Sequence, residues 1–400
     1  MLGLFFKFII SVFFLQYSFA SLDSNVVLYG IDNLYKTGFH SLKDKNIALL
    51  YNEQSKTYNN KDILDLMLSH NLNVKLLMFP EHGPSAVLDA GQRFNHGVYK
   101  NLDYISLYSS KKIPNKDDLE NIDIIVYDLQ DVGSKYYTYI STMTYVMEVA
   151  SENNIEFMIL DRPNPINGAI VEGPINLVSS FVGMHEIPIR HGMTSGELAR
   201  MIVNENWCDC DNLKLTIIPV LGWDREKYFD DYDNLWHSPS PNIKNIDAAL
   251  AYSGMCLLEG TNLSEGRGTD APFLKFGAPW ITDELYMKLK KYSFPGIEII
   301  PIEFIPSTSK FKSVKCIGIE IVVKDRYTFN SLIFSITLLK EIHDLYPDFF
   351  VINDFLYTLY GSMSLECLFV NSGCELSDIF RTWKLESKDF KRKRFNYLIY

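Results

Sequence analysis

A carboxylic acid and an imidazole follow directly after an apolar run of strand length. Residues 74–79 read Val-Lys-Leu-Leu-Met-Phe, and Pro80 ends this run just before Glu81, His82 and Gly83. A carboxyl group that lies at a strand end among apolar neighbours can hold a proton and serve as a general acid. Gly83 would let the chain turn sharply there, because it has no Cβ atom. The alternative is a surface loop whose Glu and His are simply solvated.

Two later apolar runs of the same length also end in polar side chains. Asp128, Gln130 and Asp131 follow residues 122–127, and Arg162 and Asn164 follow residues 155–160. Strands that are buried on both faces of a parallel sheet read as continuous apolar runs, and ligands bind beyond their carboxyl ends. We therefore expect one shared polar cleft with Glu81 at its centre. The alternatives are a capping role for Asp131 and a structural ion pair for Arg162.

Two further stretches carry polar groups that could bind a ligand. Arg190 and His191 precede Thr194 and Glu197, which have the spacing of a capping box, so His191 is expected near a helix N-terminus. A lone histidine at that position is more often structural than catalytic. Residues 258–269 contain three glycines and lie between apolar segments, which favours a tightly built binding loop over a disordered linker. The polar candidates of this loop are Glu259, Asn262, Glu265 and Arg267.

Strand and helix patterns alternate along the first part of the chain. Apolar runs at residues 46–51, 74–79, 122–127 and 155–160 are separated by helical patterns, which is the signature of βαβ units. The sequence therefore predicts an α/β fold with an open parallel sheet in a domain that covers residues 21–277.

The pattern changes beyond residue 277. Alternating strands are predicted at residues 297–304 and 316–323, followed by a long helix over residues 327–346 and then only short helices. We expect a second, smaller α+β domain over residues 278–400.

Composition excludes some classes of function. The formal charge of −11 and the pI near 5.3 argue against nucleic acid as the main partner, because such binding depends on neutralising phosphates. The basic run at residues 391–394 is interpreted as a solvated helix face or tail. No glycine-rich nucleotide-binding motif is present in the sequence, so no cofactor is expected.

The N-terminus has the build of a secretory signal peptide. Lys7 is the only charge in residues 1–20, residues 8–15 are almost wholly apolar, and Ser18 and Ala20 suit a cleavage site. A short membrane anchor is the rival interpretation, but the apolar stretch is short for a bilayer span. We expect an exported protein, periplasmic or extracellular, without stable membrane insertion after cleavage.

The chain has six cysteines, which is too few for a disulfide framework in 400 residues. Cys208 and Cys210 lie one residue apart, a spacing that could suggest a metal or redox pair. No matching Cys or His cluster occurs at zinc spacing, so ordinary thiols or a single bridge are favoured and no metal site is predicted.

Taken together, these motifs resemble the NamZ family of exo-β-N-acetylmuramidases over nearly the whole chain that follows residue 25. The segments that carry the resemblance are residues 80–83, 128–133 with 136–139, 161–165, 190–194 and 259–269. The resemblance implies a Rossmann-like domain with a smaller C-terminal domain. It also implies a glycoside hydrolase that removes N-acetylmuramic acid from non-reducing ends of peptidoglycan fragments, with catalytic carboxylates in the cleft between the two parts and Glu81 at the leading position.

The chemistry of that substrate agrees with the candidate residues. N-acetylmuramic acid carries a lactyl carboxylate, so its pocket should hold a cation, for which Arg162, Arg190 and Arg267 are available. Glycoside hydrolysis usually needs two carboxylates, or one with assistance from the substrate's acetamido group. With Glu81 as the acid, Glu265 is favoured as the second carboxylate because flanking glycines allow close approach to a ligand. Asp128 and Glu259 remain competitors, and the stereochemical outcome stays open.

Two rival functions have a physical basis in the same residues. One is an exported receptor that binds wall sugars without cleaving them. The other is a metal-dependent hydrolase that uses His82, Asp128, Asp131 and His191, which their spacing favours little. The tryptophans at positions 223, 236 and 280 could stack on sugar rings, although core packing is the better interpretation of each. Oligomeric state does not follow from the sequence.

Overall fold

The apolar runs of the first half form a seven-stranded sheet in the computed structural model, which describes residues 25–108, 112–370 and 373–400. The strands of these residues are β1 (Asn46–Tyr51), β2 (Asn73–Phe79), β3 (Gly97–Tyr99), β4 (Leu102–Ser106), β5 (Ile124–Asp128), β6 (Glu156–Leu160), β7 (Glu172–Ile175), β8 (Pro188–Arg190), β9 (Lys214–Ile218), β10 (Lys275–Ala278), β11 (Ile297–Phe304) and β12 (Cys316–Val323). The predicted signal segment, residues 1–20, lies outside the described residues.

The large sheet has the order β3-β4-β2-β1-β5-β6-β9, and its strands are parallel except β3, which pairs antiparallel with β4. Every residue of β5 is buried, as is every residue of β1 after the first, because helices cover both faces of the sheet. Tyr51 lies opposite Asp128, so β1 and β5 end level with each other. The prediction of an α/β fold with an open, mostly parallel sheet is confirmed.

Helices connect and cover the strands. They are α1 (Gly30–Lys36), α2 (Ile63–Ser69), α3 (Tyr139–Glu152), α4 (Ser195–Asn204), α5 (Ile246–Met255), α6 (Asp283–Leu289), α7 (Ser331–Leu345), α8 (Asp354–Tyr360) and α9 (Leu376–Arg394). The predicted capping box is present at the start of α4, where Thr194 Oγ1 accepts from the Glu197 N–H at 3.2 Å and Glu197 Oε2 accepts from the Thr194 N–H at 3.1 Å. Helix α3 begins with Thr138 as its N-cap residue.

The C-terminal part is built on a three-stranded antiparallel sheet of order β10-β12-β11. Strands β11 and β12 have the predicted bounds, and α7 lies inside the predicted helix. Helix α5 packs against α7, so contacts join the last helix of the first part to the second part. The division at residue 277 stays a prediction.

The expectation of only short helices after residue 346 is wrong. Helix α9 has 19 residues, and it lies against β7, burying Ile379, Trp383 and Phe390. These buried positions are spaced by four and seven residues among charged ones, so the helix has a narrow apolar face that is easily missed in the sequence.

The basic run at the end of α9 is only partly solvated. Arg394 is buried, and its guanidinium donates to the carbonyl oxygens of Gly168 at 2.9 Å, His191 at 3.0 Å and Ala169 at 3.1 Å. Its interpretation as a solvated residue is therefore wrong. Arg394 instead attaches the end of the chain to the loops that surround His191.

Two disulfide bonds occur among the described residues. They join Cys208 to Cys210 and Cys367 to Cys374, whereas Cys256 and Cys316 are buried free thiols. The expectation of at most one bridge at the first pair is met, and the second bridge was not anticipated. In the part of the chain that the structure describes, no helix has the length and apolarity needed to cross a bilayer.

Candidate active site

A cavity of about 230 Å³ lies beyond the carboxyl end of β2, between the large sheet and the C-terminal part. This volume lies below the usual range for small-molecule sites, about 300–1,000 Å³, so it suits a ligand as small as a single sugar unit. Its described lining consists of Glu81, His82, Ala90, Gly91, Tyr108, Tyr136, Tyr137, Thr138, Val182, Ser240, Ile243, Tyr252, Cys256, Glu259, Arg267, Phe273, Phe355 and Leu359. Of the residues singled out from the sequence, Glu81, His82, Glu259 and Arg267 meet here.

Glu81 is buried, and both of its carboxyl oxygens have partners. Oε1 accepts from the Gly91 N–H at 3.0 Å, and Oε2 lies 2.6 Å from the Thr138 hydroxyl oxygen. A threonine hydroxyl can donate to an ionised carboxylate and accept from a protonated one. The contacts with Gly91 and Thr138 therefore fix the orientation of the Glu81 carboxyl group.

A strained turn places Glu81 and builds the wall beside it. His82 and Gly83 have φ angles of 73° and 71°, so the expected sharp turn is confirmed, and it includes a residue type that adopts this conformation rarely. His82 Nδ1 lies 2.7 Å from the Leu88 carbonyl oxygen, and the Leu88 N–H donates to the His82 carbonyl oxygen at 3.2 Å. Burial lowers the pKa of His82, so the neutral imidazole is favoured. This double link fixes the loop that brings Gly91 to Glu81.

The second charged wall comes from the glycine-rich loop after α5. Glu259 lies in a 3₁₀ turn, Cys256–Gly260, and its Oε1 accepts from Arg267 Nη2 at 2.6 Å. Burial alone would lower the pKa of Arg267, but Glu259 and Glu265 raise it above the ordinary value. Gly266 has a φ of 80°, and a Cβ atom there would lie 2.4 Å from the Lys275 carbonyl oxygen. Glycine at this position therefore lets the loop fold back closely on β10.

Tyr108 is influenced by both carboxylates of the cavity lining, Glu81 and Glu259. Burial raises the pKa of its hydroxyl above the ordinary value, and the negative charges of Glu81 and Glu259 raise it further. One phenol group thus lies within the electrostatic range of both carboxylates that line the cavity.

The structure places Glu265 outside the lining of this cavity. Its side chain is 2% exposed, and it lies 3.3 Å from Arg267 Nε and 3.2 Å from Lys310 Nζ. Glu265 therefore supports Arg267 from behind, and the geometry favours Glu259 as the carboxylate that faces Glu81. The flanking glycines shape the loop backbone, but they do not bring the Glu265 side chain to the cavity.

The charged groups that follow β5 and β6 pair with each other instead of lining the cavity. Arg162 Nη2 donates to Asp128 Oδ2 at 3.0 Å and to the Lys56 carbonyl oxygen at 2.9 Å, and its Nε also bonds Asp128. The guanidinium lies over the Tyr29 ring, 4.7 Å from its centroid. Burial raises the pKa of Asp128, and Arg162 opposes that shift. The structural ion pair considered for Arg162 is therefore present, and the expectation of one cleft shared by all three strand ends is wrong.

The remaining candidates hold the surrounding loops. Gln130 Nε2 donates to the carbonyl oxygens of Asp131 at 2.8 Å and Pro163 at 3.0 Å, and Asp131 Oδ1 accepts from the Gly133 N–H at 2.6 Å. Met193 is contacted twice, since its carbonyl oxygen accepts from Asn164 Nδ2 at 3.0 Å and its N–H donates to His191 Nδ1 at 3.1 Å. Arg190 Nη1 donates to Glu172 Oε2 at 3.0 Å, and Asn262 Nδ2 donates to the Phe349 carbonyl oxygen at 2.8 Å. None of them lines the described cavity.

These placements bear on the metal-dependent alternative. His191 Nε2 lies 3.8 Å from Asp131 Oδ1, but Asp128 is paired with Arg162 and His82 lines the cavity, so only two of the four residues proposed as ligands lie together. Among the described residues, no group of three or more His, Cys, Asp or Glu side chains is arranged to hold a metal ion.

Several lining residues were not identified as candidates from the sequence. Tyr108, Thr138 and Tyr252 are distant from one another in the chain, and only the Tyr136–Tyr139 stretch gave a signal, as a run of hydroxyl-bearing residues. Ser240 and Ile243 come from the segment between β9 and α5. Trp223, Trp236 and Trp280 lie outside the cavity and pack on other aromatic side chains, which confirms their interpretation as core residues.

A larger groove of about 1030 Å³ runs along α9, but it lacks paired acids. Glu172 is the only carboxylate among its described lining residues, and it is bound to Arg190. The smaller cavity is therefore the better candidate for acid–base chemistry.

Comparison with known proteins gives matches over most of the chain. A family model described as exo-β-N-acetylmuramidase NamZ, N-terminal, matches residues 47–247, and its C-terminal counterpart matches residues 250–400. The peptidoglycan β-N-acetylmuramidase NamZ of Bacillus subtilis (strain 168) is 38% identical over 383 residues, which cover 93% of this chain and 91% of that protein. Two solved DUF1343 family proteins of Bacteroides fragilis NCTC 9343 are each 29% identical, with TM-scores of 0.85 and 0.73, and the matches cover 94% of this chain and 99% of each structure.

Proposed function

The chain belongs to the NamZ family of exo-β-N-acetylmuramidases, and on this premise we propose that it releases N-acetylmuramic acid from the non-reducing ends of peptidoglycan fragments. The observation that carries the proposal in this structure is the convergence of Glu81 and Glu259 on one sugar-sized cavity. Glycoside hydrolases commonly act through two such carboxyl groups on either side of the scissile bond.

Glu81 is the proton donor in this proposal. As the bond between C1 and the glycosidic oxygen breaks, that oxygen keeps the bonding electrons and takes the proton of Glu81. Water then supplies the hydroxyl group at C1. The other proton of that water passes to the two carboxyl groups and replaces the proton that Glu81 gave up. Thr138 and Gly91 hold Glu81 in place throughout, since they contact different oxygens of the carboxyl group. Glu259 is the partner carboxylate.

The test is the Glu81→Gln variant with a chromogenic β-glycoside of N-acetylmuramic acid. An amide keeps an acceptor for the Gly91 N–H and a donor for the Thr138 hydroxyl, so the fold should persist, but it cannot donate a catalytic proton. We expect kcat to fall by about 10²–10⁴-fold, the usual range for loss of general acid catalysis.

Glu156→Gln is the matched control, because Glu156 pairs with Lys45 away from the cavity. It should leave turnover unchanged, and both variants should melt within about a degree of the wild type. Turnover of a folded Glu81→Gln protein at the wild-type rate would refute the assignment of Glu81.

Of the three arginines considered for the lactyl carboxylate, Arg267 alone lines the described cavity. Arg162 and Arg190 are held in ion pairs with Asp128 and Glu172. We therefore assign substrate-anion recognition to Arg267. A bidentate guanidinium suits a carboxylate well.

We further propose that the protein is exported. The support is the signal-peptide pattern of residues 1–20 together with two disulfide bonds, which persist in oxidising compartments. N-terminal sequencing of the protein purified from the periplasm or medium should begin at Ser21, and an intact N-terminus would contradict cleavage after Ala20.

A further inference from the structure

Arg267 has two carboxylate partners that differ in how freely they can leave. Glu265 is 2% exposed and is also held by Lys310, whereas the Glu259 side chain is 23% exposed and lies at the cavity wall. Glu259 is bound through Nη2 at 2.6 Å, and Glu265 faces Nε at 3.3 Å. The buried contact is therefore the fixed one, and the contact at the cavity wall is open to exchange.

The cluster formed by Arg267, its two carboxylate partners and Lys310 has no net formal charge without a ligand. Two carboxylates, Glu259 and Glu265, face two cations, Arg267 and Lys310. Arg267 is the one Arg or Lys among the described lining residues, and burial favours the neutral form of His82. A substrate carboxylate that entered the cavity would have to compete for Arg267, because the described lining residues offer it no other Arg or Lys.

From this arrangement we propose that the lactyl carboxylate of the substrate displaces Glu259 from Arg267 and so frees the second carboxylate for catalysis. The inference rests on the proposed muramidase function and extends it to the way in which the substrate is selected. The group that distinguishes N-acetylmuramic acid from N-acetylglucosamine would then assemble the active site as well as contribute to binding.

Displacement of Glu259 from Arg267 predicts different kinetics from binding of the lactyl group by Arg267 alone. If Arg267 only bound the lactyl group, a substrate without that group would suffer mainly in KM. If Glu259 must be released, the lactyl-free substrate binds with Glu259 still held, and the loss appears in kcat. For wild-type protein we expect kcat on a chromogenic β-N-acetylglucosaminide to be at least about 100-fold below that on the matching muramic acid glycoside, within the range for a lost charge-assisted contact.

The Arg267→Met variant separates the two possibilities further. Without Arg267, Glu259 is no longer held, so turnover of the lactyl-free glycoside should rise several-fold. Turnover of the muramic acid glycoside should fall by about 10-fold or more, since its anion has lost its partner. The ratio of turnover on the muramic acid glycoside to turnover on the lactyl-free glycoside should therefore fall, because the first rate decreases and the second increases. Equal kcat values of the wild type on the two glycosides, or no rise in the variant, would contradict the exchange.

Arg93→Met is the matched control. Arg93 is an exposed cation whose charge is felt at Tyr108, but it does not line the cavity. This variant should retain the wild-type preference and the wild-type kcat on both glycosides. A collapse of the preference in Arg93→Met would move the recognition of the anion away from Arg267.

An experiment on the unaltered protein covers the case in which Arg267→Met does not fold. D-Lactate added to wild-type protein with the lactyl-free glycoside should raise turnover, because it supplies the missing carboxylate, whereas its uncharged methyl ester should not. Absence of activation by D-lactate would then overturn the inference. Failure of the wild type to cleave the muramic acid glycoside would instead overturn the proposed function, so the two failures are distinguishable.

Discussion

The ion pair between Asp128 and Arg162 allows a stringent test of which charged residues are structural. Asp128 is fully buried, and the Arg162 side chain is 4% exposed. Arg162→Met removes the cation and leaves a buried carboxylate without its partner, which costs about 3–5 kcal/mol in comparable cases. An entropy of unfolding of about 2.1 cal/mol/K per residue gives roughly 0.8 kcal/mol/K for 400 residues, so Tm should fall by about 4–6 °C.

The assay is thermal unfolding of Arg162→Met, Asp128→Asn and the double variant, combined with kinetics well below Tm. The double variant contains neither charge and should regain at least about 2 kcal/mol relative to the sum of the single losses. Arg392→Met is the control, because Arg392 forms a surface pair with Asp389 in which both side chains are more than half exposed. Its loss should cost less than about 0.5 kcal/mol.

The catalytic measurement decides between a structural and a substrate-binding role. Because Arg162 does not line the cavity, KM for a muramic acid glycoside should stay within about threefold of the wild type. A variant with unchanged Tm and a KM raised more than tenfold would show that Arg162 contacts the substrate, and the structural reasoning would then fail.

Three further predictions concern the carboxylates and the glycine-rich loop. Glu259→Gln should lower kcat by at least about 100-fold, whereas Glu265→Gln should lower it by less than about tenfold, because only Glu259 lines the cavity; the opposite order in steady-state kinetics would restore Glu265 as the second carboxylate. Burial raises the pKa of Asp131 to about 7 from 3.8, so the folded state keeps a proton that the unfolded chain releases, and stability from this group is lost as pH rises towards 7. Asp131→Asn should therefore gain roughly 2–3 kcal/mol relative to the wild type between pH 5 and pH 8 in denaturant titrations, and a pH-independent difference would contradict this. Gly266→Ala should lower both Tm and kcat, since its Cβ atom would lie 2.4 Å from the Lys275 carbonyl oxygen, and an alanine variant with wild-type values would show that this approach is not needed.

The parallel sheet and the position of Glu81 at a strand end could be predicted because they depend on local pattern. The runs that became β1, β2, β5 and β6 are apolar throughout, and a parallel sheet is the arrangement that buries both faces of such strands. Pro80 ends one of these strands, so the next residue had to lie at the carboxyl edge, where clefts form.

The partners of each charge could not be predicted, because they depend on distances between chain segments. Asp128 and Arg162 have the same residue types and strand-end positions that suggested a ligand site, yet they satisfy each other. Nothing in the local sequence distinguishes a carboxylate that meets a guanidinium from one that meets solvent. Tyr108 and Thr138 were missed for the same reason, since they become candidates only because they lie near Glu81 in the folded chain.

The difference between the two kinds of strand end follows from the neighbours in the sheet. Strands β5 and β6 are adjacent, so Asp128 and Arg162 at their ends lie close enough to pair, and these two charges neutralise each other. Strand β2 is separated from β5 by β1, so Glu81 is out of reach of that network. Its carboxyl group is instead met by Thr138 and Gly91, which can hydrogen-bond but carry no charge. The sheet order therefore separates Glu81 from the ion pair that Asp128 and Arg162 form.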